Sequence, residues 1–349
     1  MHSILDHSQY VYSVIVQDSD SGNIYDISEA IESITWQTYR IASQPGSLEV
    51  VIKEGLIESG VVISPGSFVR FGVNGVDYFY GNVEEVEKLC DALEGTVYRL
   101  KAYDHLMLLK NTLSLYRPKG MTASTFFAEA MTVFDTKIRS LGDPGIRWAV
   151  REPSFTGLDS HYFVMQTLYS MFKDTMTAAH VAERGESQYM IRDNLGTLEW
   201  RELSALRKNY VLGDSGYTSS YTYSNTLEGT FNAIRVFRDN ENTGMRDNWQ
   251  KYHSENIRRW RYREFTLEAE EHMTDAEIAD MIDLYMAAKN RTHRSLQMSC
   301  VGINGIEAGD GIRCAISGAE AVNDHNIWIE ECKHVYTLQG HDMALTLFI

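Results

Sequence analysis

Two segments of the sequence, residues 66–102 and 309–347, follow the same pattern of glycines, apolar residues and charges. The first opens with PGSFVRFGV and the second with AGDGIRCAI, and in both the apolar residues alternate as in a strand with one buried face. At a constant spacing of 243 positions, the matching pairs are Gly66 with Gly309, Val69 with Ile312, Arg70 with Arg313, Phe71 with Cys314 and Val73 with Ile316. A repeat of this length predicts two similar β-units in one chain.

The match continues through the next two predicted strands. Val83-Glu84-Glu85 corresponds to Ile329-Glu330-Glu331 at a spacing of 246. The last matching pairs, at a spacing of 245, are Gly95 with Gly340, Tyr98 with Met343, Leu100 with Leu345 and Ala102 with Leu347. The alternative interpretation is that strands with a period of two resemble one another by chance, because alternation alone produces such matches.

The composition is that of a globular protein with protein partners. The chain has 349 residues, of which 44% are hydrophobic, so we expect roughly two to four domains. No run approaches the roughly 18 apolar residues of a membrane helix, and MHSILDHSQYVYS lacks the features of a signal peptide. We therefore expect folding in the cytoplasm and no membrane anchor. The net charge of −16 disfavours specific binding to nucleic acids or anionic membranes.

Neither cysteine nor histidine spacing indicates a metal site. The four cysteines, Cys90, Cys300, Cys314 and Cys332, show no CxxC pair, and we interpret them as small buried apolar residues without disulfides or zinc. His325, His334 and His341 match no metal-binding motif and are interpreted as loop and strand residues. We expect no metal and no cofactor.

The sequence predicts strands in its first part, a mixture of helices and strands in its centre, and mainly strands again towards its end. Residues 8 to about 105 alternate, and Asn74-Gly75 predicts a hairpin turn. In the centre, apolar spacing predicts one helix behind Thr122 and another behind Asp159-Ser160, the latter including Val164, while residues 189–203 predict a hairpin closed through Gly196. Strands resume near Tyr210 and include RRWRYREFTLE, with one helix at about 274–290 behind a Thr274/Glu277 capping box.

Several motifs resemble catalytic or binding sites, but their spacing or sequence context does not fit such a site. TAAH and GDSG are found in trypsin-like proteases, but only 35 residues separate His180 from Ser215, too few for the intervening barrel. Adjacent glutamates in a strand point to opposite faces and cannot act on one bond. RRWRYR has the look of a nucleic-acid strip, but acidic residues follow it, so a charge ladder or subunit contact is favoured. We predict no catalytic residues.

The order of these parts resembles a known family. DYFYGNVEEVEKL, GTVYRLKAYDHLMLLKN and TASTFFAEAM, followed by NAIRVFR, LYMAAKNRTHRSLQMSCVG, IEAGDGIRCAI and WIEECKHVYTLQGHDMALTL, are similar to segments of baseplate hub proteins. These hubs belong to contractile phage tails and phage-tail-like bacteriocins of the Gram-positive, late control D-like type. They are related to the hub part of type VI secretion spike proteins. The resemblance covers nearly the whole chain and is weakest at 135–205.

The resemblance implies a mainly β fold with an α+β insertion, in three domains. We expect a first tube-like β-barrel at 1–107, an inserted α+β domain at 108–206, and a second tube-like β-barrel at 207–349. It also implies a homotrimeric hub in which six barrels meet a hexameric tail tube above and a trimeric spike, a separate polypeptide, below. Other baseplate proteins are further expected partners. Such a hub would be assembled in the bacterial cytoplasm and located in a virion or tail-like particle.

Two other functions remain open at this stage: a tail-associated cell-wall hydrolase, and a different tail ring component such as a distal-tail or tube protein. An internal repeat argues against the last, since those proteins usually have one barrel. Candidate residues for subunit contacts or the lumen are Glu85, Glu331, Arg70 and Arg313. We expect part of the acidic surface to line the lumen.

Overall fold

A computed structural model describes residues 10–40, 44–53, 61–91, 95–116, 120–155, 157, 163–183, 188–214, 216, 218–240, 244–269, 273–317 and 326–348. The strands of the first repeat are β1 (Tyr12–Gln17), β2 (Ile24–Asp26), β3 (Ile31–Tyr39), β4 (Ser47–Lys53), β5 (Phe68–Val73), β6 (Val76–Asp91) and β7 (Gly95–Tyr103). The central region contains β8 (Thr112–Tyr116), α1 (Ala123–Ser140), β9 (Arg147–Val150), β10 (Phe163–Thr167), α2 (Leu168–Ala182), β11 (Tyr189–Asn194) and β12 (Thr197–Glu202).

The remaining elements form the C-terminal part of the chain. They are β13 (Arg207–Gly213), β14 (Thr218–Thr226), β15 (Ala233–Asn240), β16 (Met245–Tyr252), α3 (Ser254–Trp260), β17 (Glu264–Glu268), α4 (Asp275–Lys289), β18 (His293–Val301), β19 (Gly311–Ala315), β20 (Asn326–Thr337) and β21 (Gly340–Phe348). The prediction of a mainly β fold with an α+β insertion is confirmed. The domain boundaries at 107 and 206 stay a prediction.

Most strands join one large sheet. The first repeat contributes the order β2-β1-β5-β6-β7-β4-β3, and the second contributes β20-β21-β18-β14, with β19 beside β20 and β13 beside β19. The junction between the repeats is the antiparallel pair β3–β20. Alternate residues of β1, β3, β4, β5 and β7 are buried in one core, which also includes Tyr336 of β20. One side chain of the second repeat thus completes the core of the first.

The two copies of the repeat have the same backbone conformation at their opening turn. Gly66 and Gly309 have φ of +92° and +88°, a region that favours glycine. Gly66 N–H donates to the Val83 carbonyl at 2.6 Å, and Gly309 N–H donates to the Ile329 carbonyl at 2.7 Å. Since equivalent residues make equivalent hydrogen bonds, the sequence repeat is a structural repeat.

An irregularity in the ladder recurs as well. The β6–β7 register shifts between Val83 and Glu85, and the β20–β21 register shifts between Ile329 and Glu331. The extra residue is therefore Glu84 in one copy and its counterpart Glu330 in the other, as in a β-bulge. Chance alternation would not reproduce a bulge at the same place, so the alternative explanation of the sequence match is excluded.

The central region has a core of its own, in which α1 and α2 pack with residues of β11 and β12. α1 begins behind the cap Thr122, as predicted, and the 189–203 hairpin turns through Leu195 and Gly196 with φ of 49° and 84°. The second helix was predicted to begin at an earlier residue than it does. Residues from Phe163 pair with β8, so Val164 lies in a strand and α2 begins at Leu168. Asp159-Ser160 lie outside the described residues.

The chain divides into two compact units by its contacts, residues 1–222 with 297–348, and residues 223–296. In the smaller unit, α4 packs on the sheet β16-β15-β17 around a core that includes Ile234, Val236 and Ile278. Both hydrogen bonds of the predicted Thr274/Glu277 capping box are present. Of the predicted strand RRWRYREFTLE only Glu264–Glu268 is a strand, because α3, capped by His253, extends to Trp260 and Arg261 follows with φ of 66°.

Three of the four cysteines are buried, as predicted, but Cys90 is exposed because it lies near the end of β6 beyond the core. His334 and His341 are buried strand residues, whereas His325 lies outside the described residues. Within the ranges above, every helix is too short or too polar to span a membrane. Groups of three His, Cys, Asp or Glu able to hold a metal are not found among those same residues.

Candidate assembly surface

The junction between the repeats is the feature that most constrains function. β3 and β20 pair over seven positions, from Ser33 opposite Thr337 to Tyr39 opposite Glu331. On the core side of this ladder, the rings of Trp36 and His334 stack with centroids 5.0 Å apart. Hydrogen bonds and ring packing therefore fuse the two repeats into one sheet.

A pair of buried histidines lies beneath the junction. His334 Nε2 is 2.8 Å from the Ile306 carbonyl, so this nitrogen carries the proton and donates. His334 Nδ1 must then accept the hydrogen bond from His341 Nε2, 2.9 Å away. Burial lowers the pKa of His334 to about 4. The His334 imidazole fits this arrangement only in its neutral form, because its Nδ1 must accept a hydrogen bond.

The opposite side of the sheet, which we call the shared face, runs without interruption from β6 to β21. Because directly opposed residues lie on one face of a sheet, the ladder places Glu85, Lys101, Glu49 and Thr35 on this face. The second repeat adds Glu331 and Lys333. Two candidate residues that are 246 positions apart, Glu85 and Glu331, are thus brought to the same face.

Some of the charged side chains on the shared face have polar or charged partners. A hydrogen bond with Tyr103 raises the pKa of Lys101, and the charges of Glu85 and Glu49 raise it further. Arg99 Nη1 lies 2.9 Å from Glu87, and Arg99 Nε lies 3.3 Å from Glu49. Gln37 donates a hydrogen bond to Glu331 across the repeat junction. Carboxylates of this face therefore lie next to arginine and amide side chains.

Two shallow hollows lie on this face. One, of about 440 Å³, is lined by Thr35, Gln37, Tyr39, Gln44, Pro45, Ser47, Glu49, Lys101, Tyr103, Lys110 and Lys333. The other, of about 250 Å³, is lined by Ser220, Tyr221, Thr222, Gln297, Met298, Ser299, Glu331, Lys333, Ala344, Leu345 and Thr346. Hydroxyl, amide and lysine side chains make up most of both linings, and each lining includes one glutamate, so these hollows offer a polar surface.

The other two candidates lie apart from this junction. Arg70 is exposed on β5, 3.7 Å from Asp77. Arg313 is exposed on β19, opposite Asn326 on one side and Val211 on the other. The repeat relates these arginines, but the sheet does not bring them together.

Sequence reasoning missed a buried ionic cluster that joins β11 to the second repeat. The Arg192 guanidinium approaches Glu307 at 2.6 Å and Asp310 at 3.0 Å. Asp310 is fully buried, and its Oδ2 also accepts the Glu307 N–H at 3.0 Å. Burial raises the pKa of Asp310 to about 6 although Arg192 opposes that effect. The only signal in the sequence is an arginine in a predicted hairpin strand.

The next residue on β11 joins the first repeat. Asp193 accepts hydrogen bonds from the backbone N–H of His105 at 2.7 Å and from its ring at 3.1 Å. Beside it, Asp104 accepts N–H groups of Gly46 and Leu106, and burial raises its pKa well above the usual range. Adjacent strand residues point to opposite faces, so Arg192 and Asp193 anchor one strand to both repeats.

Comparison with known proteins assigns the chain to a family. A family model described as YQBQ-like matches residues 34–348. No curated protein matches the chain. Among solved structures, a tail protein from Neisseria meningitidis MC58 superimposes with a TM-score of 0.69 at 11% identity, over 97% of this chain and 96% of that one.

Two prophage proteins are similar in the same way. The 43 kDa tail protein of prophage MuSo2 from Shewanella oneidensis has a TM-score of 0.67 at 12% identity, covering 96% of this chain and 98% of that one. The prophage tail protein gp18 from Listeria monocytogenes EGD-e has a TM-score of 0.61 at 13% identity, covering 96% and 94%. At such low identity the likeness establishes the fold, which is that of phage tail proteins.

Proposed function

The chain belongs to the YQBQ-like family, and on that premise we propose that it is a structural component of a phage-tail baseplate. More specifically, we propose a homotrimeric hub that joins a hexameric tail tube to a trimeric spike in a contractile injection particle. The particle would be a virion or a tail-like bacteriocin, assembled in the bacterial cytoplasm. The names of the structurally similar tail proteins support the coarser role.

The observation that carries the hub proposal is the repeat itself. Each chain supplies two β-units with the same turn at Gly66 and Gly309 and the same bulge at Glu84 and Glu330. Three chains would then present six similar units to a sixfold ring while keeping threefold symmetry towards a spike. A trimer of a protein with one unit per chain would present only three such units to the ring.

The shared face supports a second part of the proposal. A surface that is continuous across both repeats is suited to line a channel, and here it carries polar side chains and the ion pairs of Arg99 with Glu49 and Glu87. We propose that Glu85 and Glu331 face the lumen, where they would repel phosphates and limit adhesion of a passing polymer. Lys101 and Lys333 would offset part of this charge. Arg70 and Arg313 are proposed as contacts between subunits.

We infer that the protein acts through shape and not through catalysis. Hydrolases that cut glycosidic bonds place two carboxyl groups about 5–10 Å apart across a cleft, whereas the two hollows of the shared face are lined mainly by hydroxyls, amides and lysines. If the purified protein, after stringent removal of contaminants, clears a peptidoglycan suspension, the alternative of a cell-wall hydrolase is correct. We expect no change in turbidity.

Reconstruction of the intact tail end without imposed symmetry tests the hub proposal. We expect three copies in one ring between tube and spike, with the two repeats alternating. Six copies, or a ring in which only one repeat contacts the tube, would contradict it. If the protein forms a ring away from the spike, the alternative of a distal-tail or tube protein is favoured.

A further inference from the structure

The segment RRWRYR, residues 258–263, does not form the charge ladder that its sequence suggested. Its first two arginines lie in the last turn of α3, and the third follows that helix. They therefore precede the ladder between β17 and β15, which begins at Glu264. All three arginines are exposed, and so is the tyrosine that follows them. We call these four residues the arginine surface: Arg258, Arg259, Arg261 and Tyr262.

Arg261 holds a backbone conformation that is unusual for any residue except glycine. Its φ of 66° and ψ of 169° lie in a region that other residues rarely occupy. The fully buried Asn232 holds it there, because its amide nitrogen donates to the Arg261 carbonyl at 2.7 Å and its amide oxygen accepts the Arg263 N–H at 2.9 Å. Since glycine would adopt this conformation without strain, an arginine here indicates that its exposed side chain has a use.

Hydrogen bonds hold the surrounding elements in place. Asn256 of α3 donates to Asn290, the residue that follows α4, at 2.9 Å. The Tyr262 hydroxyl donates to Glu264 and accepts from the Gln250 amide at 2.9 Å. The Tyr262 ring is thus fixed at its hydroxyl end, although 53% of the residue is exposed. A surface that is already ordered binds a ligand without paying the entropy of ordering itself.

The positive charge of the arginine surface is only weakly neutralised within the chain. Among the described residues, no carboxylate lies within 4.0 Å of the Arg258 or Arg261 guanidinium. Arg259 Nη1 is 3.7 Å from Glu255, and both of these side chains are largely exposed, so their interaction is weak. In a chain with a net charge of −16, the arginine surface is therefore a local concentration of positive charge.

We propose that the arginine surface binds a short, carboxylate-rich segment of a partner protein. Arginine pairs with carboxylates through two parallel hydrogen bonds, and the exposed Tyr262 ring offers an apolar face to the same segment. Because consecutive Cα atoms are about 3.8 Å apart, residues 258–262 span at most about 15 Å. An extended peptide of about five residues covers that distance. The surface belongs to the smaller unit alone and requires nothing of the hub function.

A nucleic acid fits the arginine surface less well than an acidic protein segment does. Phosphates continue along a nucleic acid beyond any short site, and the exposed carboxylates of Glu255 and Glu268 flank this one in the chain. The net charge of −16 would repel the rest of the strand. A segment with about two or three carboxylates needs only the arginines themselves.

The test uses the full-length chain and a fluorescently labelled hexaglutamate peptide with blocked ends. Fluorescence anisotropy at low salt should show binding that weakens as salt is added. Arg258→Gln with Arg261→Gln should weaken binding roughly tenfold or more, because hydrogen bonds between charged groups are lost. Arg246→Gln is the matched control and should change binding less than about twofold, since Arg246 is an exposed arginine of the same unit that already pairs with Asp239 at 2.7 Å.

Two substitutions at position 261 separate the role of the side chain from that of the backbone. Arg261→Gly should raise the midpoint of thermal unfolding, because glycine accepts this conformation, whereas Arg261→Ala should not. Both variants should bind the peptide more weakly than wild type and to a similar extent, because both lack the guanidinium. Wild-type affinity in either variant overturns the proposal.

Other occupants of the surface give different results. If a thymidine oligonucleotide or vesicles of anionic phospholipid bind more tightly than the peptide, and the double arginine variant abolishes that binding, the partner is not a protein. If the double variant leaves peptide binding unchanged but lowers the oligomeric state in native mass spectrometry, the surface contacts a second copy of the chain. Either result, or a peptide that does not bind at all, overturns the proposal and leaves the hub function standing.

Discussion

The sulfur of Met190 lies 2.1 Å from the point that a Cβ atom on Gly309 would occupy. At Gly66, the equivalent glycine of the other repeat, the nearest atom is Ser19 Oγ at 3.5 Å. The two repeats share a backbone conformation, but only the second has the central region packed against its turn. Gly66 and Gly309 are therefore equivalent in the repeat but differ in the space available for a larger side chain.

We expect Gly309→Ala to destabilise the protein more than Gly66→Ala. Both alanines would adopt a positive φ, at a cost of about 1–2 kcal/mol. Gly309→Ala must in addition displace the buried Met190, which adds roughly 1–3 kcal/mol. Urea unfolding of the two variants measures the difference. Equal loss of stability in the two variants would contradict the role of Met190. In a Met190→Ala background, the additional cost of Gly309→Ala should fall towards the cost of Gly66→Ala.

Replacing Arg192 should strongly destabilise the chain. Arg192→Met would leave Asp310 and Glu307 without their buried partner, at a cost of about 3–5 kcal/mol. Arg192→Met with Asp310→Asn should recover part of the loss, because one uncompensated charge is removed. Chemical denaturation of the single and double variants checks this, and no recovery in the double variant would argue against the cluster.

The Arg192→Met variant should also gain stability on acidification. Arg192 lowers the pKa of Asp310 against the effect of burial, so its removal raises that pKa further above 3.8. A group with a raised folded-state pKa stabilises fully below its unfolded pKa, and this stability is lost as pH rises through the folded pKa. The stability gap to wild type should therefore narrow from pH 7 to pH 5. A constant gap would contradict the assignment to Asp310.

The buried histidine pair should make the fold sensitive to acid. Burial holds the pKa of His334 at about 4, below the ordinary 6.5. Its stability contribution is therefore complete above pH 6.5 and is lost as pH falls towards 4. Cys332 and Tyr336 contact His334, and burial raises the pKa of both, so neither supplies a negative charge that would offset its protonation.

The variant His334→Gln measures this effect. It removes the titrating group while its amide can still donate to the Ile306 carbonyl, so it should be less stable than wild type at pH 7.5. The difference should shrink by roughly 2–3 kcal/mol between pH 6.5 and pH 4 if the full pKa shift operates. Thermal unfolding across this range tests it, and parallel curves for the two proteins would exclude a titration of His334.

The capping box of α4 allows a local test in the smaller unit. Thr274 Oγ1 accepts the Glu277 N–H at 3.3 Å, and the Thr274 N–H donates to the Glu277 carboxylate at 2.6 Å. Thr274→Ala should cost about 1 kcal/mol, and Thr274→Ser should be nearly neutral because serine retains the acceptor. Hydrogen exchange of α4 amides reports the change. Equal exchange in both variants would show that the cap does not stabilise this helix.

The sequence by itself determined the features that depend on neighbours in the chain. The hairpin at Asn74-Gly75 was predictable because these residues adopt positive φ, here 52° and 80°, at little cost. The Thr274 capping box and the apolar stripe of α1 are local in the same sense. The repeat was visible because both copies bury the same alternate positions around the same turn. For α3, local capping by His253 prevailed over an alternation that had suggested a strand.

Tertiary structure alone decided how the two repeats meet. The pairs Trp36–His334 and Gln37–Glu331 join residues nearly 300 positions apart, and no periodicity selects such partners from the other strands. The Arg192 cluster is similarly hidden, since a charged residue in a hairpin is normally solvated and only the packed second repeat buries it. Strand alternation specifies which face is apolar, whereas the choice of neighbouring edge depends on packing across the whole chain.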